Sequence, residues 1–248
     1  MPRLMDKDLA NMASIKTASN FQFSAVKLED LGASEYTLVS IILDISSSVA
    51  AYKTDLEKSL ITVLESCKKS PRAENLMLRL TAFNHNLSEL HGFRLLSDIK
   101  DDDYHGIVQV GGNTALYDAA YEGVEVTKQY GKQLFDQDYT ANAIVFIITD
   151  GEDNASAYAP IQVQVLVRDT MREEALESVT TILVGVDNDP CVKKALEYFK
   201  DNAELTQYVS LGEATPQKLA KLADFVSRSI SSTSQALASG SVSQPLDF

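Results

Sequence analysis

Residues 36–45 read YTLVSIILDI, a nearly continuous apolar run, rich in β-branched side chains, with one carboxylate, Asp44, near its end. A run without alternation of apolar and polar residues predicts a strand buried on both faces, as in a parallel sheet covered by helices. Ala141–Thr149 (ANAIVFIIT) and Val179–Val186 have the same character. Between these strands the period changes. Val49–Lys69 carries apolar residues at Val49, Tyr52, Leu56, Leu60, Val63, Leu64 and Cys67, steps of three and four that form one helical stripe. Ala115–Tyr130, Ala159–Leu176 and Val192–Phe199 also read as helices. A last helix opens at Thr215-Pro216, an N-cap and a first-turn proline, and carries apolar residues as far as Ile230.

Asn75–Phe83 and Leu87–Leu96 are shorter strand-like runs joined by Asn84-His85-Asn86, a polar connection suited to a hairpin. They place one antiparallel strand at an edge, and Leu205–Val209 adds a short strand. Buried strands alternating with amphipathic helices predict an α/β domain of three layers: a doubly wound (Rossmann-like), mostly parallel sheet with helices on both faces. The domain is expected to span residues 36–230. Residues 1–35 form an N-terminal extension whose alternating patch Phe21–Val26 suggests an edge strand or strap. From Ser231 the chain turns Ser/Ala/Gly-rich, the composition of a flexible tail over 231–248.

The 248 residues contain 22 Lys+Arg against 35 Asp+Glu, a formal charge of −13, and 45% are hydrophobic. That balance fits a folded protein and repels phosphate backbones and anionic lipid, so neither nucleic acid nor a membrane is an expected partner. Apolar runs fall far short of the ~20 residues that span a bilayer. The first 20 residues lack the apolar stretch of a signal peptide, and the two cysteines, Cys67 and Cys191, read as core residues of a reducing compartment. A cytoplasmic location is the expectation.

Ligands of open α/β sheets bind outside the carboxyl ends of the parallel strands, where strand order reverses. Four segments stand there: Asp44–Ser48 (DISSS), Gly111–Thr114 (GGNT), Thr149–Asp153 (TDGED) and Asp187–Asp189 (DND). In extended backbone, residues i, i+2 and i+4 point the same way, so Asp44, Ser46 and Ser48 offer one carboxylate and two hydroxyls to one spot. Thr114 can add a third hydroxyl and Asp150 a second carboxylate. This all-oxygen set suits a hard octahedral dication such as Mg²⁺ or Mn²⁺, with bonds near ~2.1 Å, and suits zinc or copper poorly. Two negative charges leave the cation able to take one more anionic oxygen from outside.

These residues resemble the metal-ion-dependent adhesion site of von Willebrand factor A-type domains, written D-x-S-x-S, then Thr, then Asp, on three loops. The resemblance covers roughly residues 36–230. It implies that Ser46 and Ser48 coordinate the metal, that Asp44 and Asp150 bind it directly or through water, and that Thr114 moves in or out of the coordination shell. It also implies a protein partner whose Asp or Glu completes the octahedron. The expected function is a non-enzymatic, metal-dependent protein-binding module, an intracellular adaptor or scaffold.

Blander readings exist for several residues. Ser48 could cap the helix that starts at Val49, and Asp118 sits in a helical first turn, where a carboxylate favours the dipole. Glu152, Asp153 and Asp101-Asp102-Asp103 read as solvated charges. His85, His91 and His105 show no catalytic or metal spacing, and no nucleophile elbow or nucleotide-binding glycine loop occurs. A Mg²⁺-dependent hydrolase on the same fold would have only Glu152 or Asp153 as a base. A purely structural subunit of a larger assembly is a further alternative.

Overall fold

The structure, a computed structural model, describes residues 11–186 and 188–248. Residues 1–10 of the expected extension and Asp187 of the fourth loop lie outside the described residues. The strands are β1 (Met12–Lys16), β2 (Gln22–Val26), β3 (Glu35–Asp44), β4 (Leu76–Phe83), β5 (Leu87–Leu95), β6 (Thr140–Thr149), β7 (Val179–Gly185) and β8 (Gln207–Ser210). The helices are α1 (Lys53–Lys68), α2 (Leu116–Phe135), α3 (Pro160–Arg172), α4 (Pro190–Asn202) and α5 (Pro216–Ser239).

The strands form one sheet in the order β1-β2-β5-β4-β3-β6-β7-β8. β3 lies centrally and pairs in parallel with both β4 and β6, and β7 and β8 continue in parallel. This is why the opening run is apolar throughout. Val39, Ile41 and Leu43 share a core with residues of α1 and α5, whereas Ile42 packs on the opposite face with Leu116 and Ala120 of α2. Phe146 and Val145 of β6 divide between the two faces in the same way. The alternation of a strand is present, but both sides are dry. The sequence-derived class, a mostly parallel α/β sheet flanked by helices, is the class observed.

Two parts differ from the sequence expectation. The antiparallel strand β5 is not an edge, because the N-terminal hairpin β1–β2 extends the sheet beyond it, β2 running parallel to β5. The segment after Ser231 is not a free tail from its start. α5 runs on to Ser239, with Thr233, Ser234 and Leu237 buried. The serines and threonines that gave the stretch its linker-like composition act as a small-residue packing face. Asn142 donates to the Thr233 carbonyl at 2.7 Å and Arg72 to Ser234 Oγ at 2.9 Å. Beyond the helix, Phe248 returns to pack edge-on against Phe225.

Candidate metal centre

β3 and β6 are neighbours, yet the chain leaves β3 toward β4 on one side and continues from β6 to β7 on the other. Their carboxyl ends therefore flank the point where winding direction changes, the crevice where such sheets bind ligands. Asp44 is the last residue of β3, and Asp150 follows Thr149, the last residue of β6.

The donors are connected by hydrogen bonds. Asp44 Oδ1 accepts the Ser46 N–H at 2.7 Å, the turn that lets the chain leave the strand. Ser46 Oγ lies 3.1 Å from Ser48 Oγ, and Ser48 Oγ donates to Asp150 Oδ1 at 2.8 Å. Four of the five expected ligand residues are thus linked in one hydrogen-bonded chain spanning two strand ends, Asp44 to Ser46 through the backbone N–H and Ser46 to Ser48 to Asp150 through oxygens. Ser48 is not a helix cap: α1 starts at Lys53 behind Tyr52, and the Ser48 hydroxyl is spent on Asp150. Thr114 is buried close by, its Oγ1 3.8 Å from where a Cβ on Gly151 would stand.

Four bonds, made by three residues outside the expected ligand set, hold the loops together. Thr149 Oγ1 donates to Asp44 Oδ2 at 2.6 Å. Asn154 and Thr114 are doubly bonded, the Thr114 N–H to Asn154 Oδ1 and the Asn154 N–H to the Thr114 carbonyl, both at 2.9 Å. Asn84 Nδ2 donates to the Gly111 carbonyl at 2.6 Å. Gly112 has φ +86°, and a Cβ there would meet His85 Nδ1 at 2.4 Å, so the GGNT loop needs glycine for both backbone and space. Sequence reading did not single out Thr149, Asn154 or Asn84, and placed His85 at no relevant spacing, whereas the fold lays His85 against this loop.

Asp118 and Asp153 also do more than face solvent. Asp118 accepts the Ala157 and Tyr158 N–H groups, and Asp153 accepts Ser156 Oγ, which in turn caps the Tyr117 and Asp118 N–H groups. The 151–158 loop is thereby tied to the start of α2. Asp101 pairs with Lys68, and Asp103 caps the Lys100 N–H. Cys191, read as core, is exposed at the start of α4, whereas Cys67 is buried.

Burial raises the Asp44 carboxyl above the ordinary range, opposed by its bonds from Thr149 and Ser46 and reinforced by the nearby Asp150 charge. A buried carboxylate beside another is a group whose charge a cation would stabilise. The donor set fits a hard dication in a second respect. Ligands at ~2.1 Å in an octahedron stand roughly 3 Å from each other, and the observed oxygen separations along the Ser46–Ser48–Asp150 chain are 3.1 and 2.8 Å. Among the described residues no three His, Cys, Asp or Glu side chains cluster as metal ligands, so any ion here would rely on hydroxyl donors.

The sequence matches no family model and no curated protein. Solved structures do share the fold. The PilB minor pilin from Streptococcus sanguinis superposes with a TM-score of 0.60 at 12% identity, over 86% of this chain and 65% of that one. The pilus adhesin SpaC from Lactobacillus rhamnosus GG, in its open conformation, gives 0.56 at 10% identity over 92% and 35%. A structure described as von Willebrand factor type A from Catenulispora acidiphila gives 0.53 at 14% identity over 84% and 45%. This chain spans about two thirds or less of the length of each. The fold is thus that of von Willebrand factor A-like domains. No helix among the described residues is long and apolar enough to cross a membrane.

Proposed function

We propose that the chain is a divalent-metal-dependent protein-binding module. Asp44, Ser46, Ser48, Thr114 and Asp150 hold Mg²⁺ or Mn²⁺, and the ion bridges to an Asp or Glu side chain of a protein partner. The observation that carries this reading is the hydrogen-bonded chain of residues Asp44–Ser46–Ser48–Asp150, oxygen to oxygen from Ser46 to Asp150, at the β3/β6 crevice. Asp44 and Ser46 are buried whereas Ser47 and Ser48 are exposed, so one side of the site is walled by protein and the other faces solvent. The metal supplies a Lewis-acidic charge, and the protein supplies orientation.

The segments 44–52, 110–118 and 149–159 contain no lysine or arginine, while Asp44, Asp118, Asp150, Glu152 and Asp153 are acidic. An acidic partner meeting this rim without a cation is repelled, so capture should depend steeply on metal. Neighbours described as a pilin and a pilus adhesin favour an adhesive or assembly role. The two free thiols favour a reducing, cytoplasmic location for an adaptor or scaffold. The ion-bridging chemistry is the same in either setting.

The test is calorimetric titration of Mg²⁺ and Mn²⁺ into EDTA-stripped protein beside Asp150→Ala. Saturable binding lost in the variant is the expected result, and an unchanged titration in the variant would sink the proposal. One observation favours a hydrolase as the second reading: His85 lies against Gly112, at the loop that carries Thr114. Mg²⁺-dependent turnover of a generic phosphomonoester that disappears in His85→Ala would establish it.

A further inference from the structure

We propose that Glu122 of α2, in its neutral protonated form, is a clasp that docks the β1–β2 turn onto the domain, and that loss of this proton releases the turn. The argument is a count of protons around Ser19. Its hydroxyl lies 2.5 Å from Glu125 Oε2, 2.9 Å from Glu122 Oε1 and 2.9 Å from Thr17 Oγ1. A serine hydroxyl has one proton to give and two lone pairs. Glu125 also accepts the Ser19 N–H through Oε1 at 3.1 Å and makes the shortest of the hydroxyl contacts, so we assign the Ser19 proton to Glu125. Thr17 Oγ1 accepts the Phe21 N–H and gives its own proton to Ser19. The contact between Ser19 and Glu122 is left without a hydrogen unless Glu122 carries one.

The second Glu122 oxygen points to the same state. Oε2 is buried with no hydrogen-bond partner among the described residues, a surrounding that penalises a carboxylate far more than an acid carbonyl. Burial pushes the Glu122 carboxyl up to about 7, with the Glu125 and Asp118 charges adding to the rise and the Arg79 charge opposing it. Arg79 is fully buried on β4, and its Nε is engaged by Glu89 of β5 at 3.3 Å. The remaining titratable neighbours are Tyr121 on α2 and Tyr158 on the 151–158 loop, whose phenols both feel the Glu122 charge.

The hairpin is seated by Phe23, Ala25 and Val26 in the core beside Phe93 and Tyr130, but its ladder to the sheet is thin. β2 meets β5 at one bridge pair, Ala25 with Phe93, helped by Ser24 N–H and Oγ bonds to Glu89. With Glu122 ionised, one hydroxyl proton would sit between two carboxylates, and their repulsion would fall on the turn. The sign follows. A carboxyl raised in the docked state makes docking strongest below its free value near 4.5, weakening as pH rises and fully weakened above about 7.

Hydrogen–deuterium exchange of the full chain, read on peptides covering residues 17–26 at pH 6.0 and 8.5 after correction for intrinsic rates, tests this. In the wild type, protection should fall by about tenfold or more, given the size of the carboxyl shift. In Glu122→Gln, whose amide can still donate to Ser19, protection should stay the same at both pH values. An equal fall in both proteins, or none in the wild type, overturns the proposal. A carbon-13 titration of the wild-type Glu122 carboxyl decides independently if the variant does not fold: a midpoint near 7 supports the clasp, and an ordinary glutamate midpoint refutes it.

Discussion

Thr149→Val separates a built site from a chance grouping of oxygens, because Thr149 is absent from the ligand pattern and yet grips it. The substitution keeps the branched shape and removes one hydroxyl, the donor to Asp44 Oδ2 at 2.6 Å. Asp44 is 1% exposed and its other oxygen is held by Ser46 N–H, so water cannot readily replace the lost donor. A hydrogen bond to a buried charged group is worth about 1.5–3 kcal/mol, the expected loss of stability in EDTA. With metal present a second loss should follow. Partners that orient a ligand typically control about 10–100-fold in metal affinity. At a Mg²⁺ concentration of about 100 times the wild-type dissociation constant, bound metal stabilises the wild type by about 2.7 kcal/mol. Weakening of about tenfold reduces that to about 1.4 kcal/mol, and of about a hundredfold to about 0.4 kcal/mol. Urea denaturation of both proteins, with EDTA and with Mg²⁺, reads all four numbers. A variant that matches wild type in EDTA and keeps the full Mg²⁺ increment would refute the reasoning.

Three further outcomes are expected. Asn154→Ala strips the buried Thr114 N–H of its acceptor and should cost about 1–3 kcal/mol in denaturant unfolding, with weaker Mn²⁺ binding by calorimetry. His91 is buried between the Gly92 carbonyl at Nδ1 and the Tyr104 hydroxyl at Nε2, both 2.9 Å away. Burial, with Arg94 and Arg79 nearby, pushes it down to about 4. The unfolded chain therefore binds a proton that the folded one refuses, and stability falls as pH drops from about 6.5 to about 4, by about 3 kcal/mol relative to His91→Gln; matching acid profiles by denaturant unfolding would contradict it. Burial pushes the Cys67 thiol up to about 12, so a thiol reagent at pH 8 should label Cys191 alone until the chain is unfolded.

What the chain discloses in one dimension depends on the range of the interaction. β3 and β6 are legible because burial on two faces leaves an apolar run that no local turn can imitate. Asp44, Ser46 and Ser48 are legible as a D-x-S-x-S pattern, but only Asp44 lies on the strand. Ser46 caps a 3₁₀ turn over Ser47–Ala51 that carries Ser48, so the extended two-residue period expected from the sequence is not what brings them together. Thr149, Asn154 and Asn84 act through bonds across 105, 40 and 27 positions, and Thr, Asn and Asn next to glycines and acids look like any loop. The N-terminal hairpin was foreshadowed only by the alternating patch at Phe21–Val26. Five-residue strands carry little periodic signal, and their seat depends on Glu89, Glu122 and Glu125, far along the chain. Composition misleads at the end of α5: small polar residues serve a linker by staying solvated and serve a helix by letting a neighbour come close. Composition alone does not distinguish the two.

The same bonds bear on how an ion site with few charges could work. Two carboxylates and three hydroxyls are a modest set, and hydroxyl donors pay off only if they need not be gathered at the moment of binding. Here Asp44 is fixed by Ser46 and Thr149, Ser48 by Asp150, and Thr114 by Asn154, each bond made by the protein itself. The ordering entropy is therefore met by folding, and a cation would meet a nearly assembled half-shell. The cost is the stability of the ion-free fold, in which burial disfavours the charge on Asp44 and Asp150 stands close enough to add to it. A metal site assembled in this way would be held ready by the fold and relieved by the ion, which is why the EDTA arm of the Thr149→Val experiment is as informative as the Mg²⁺ arm.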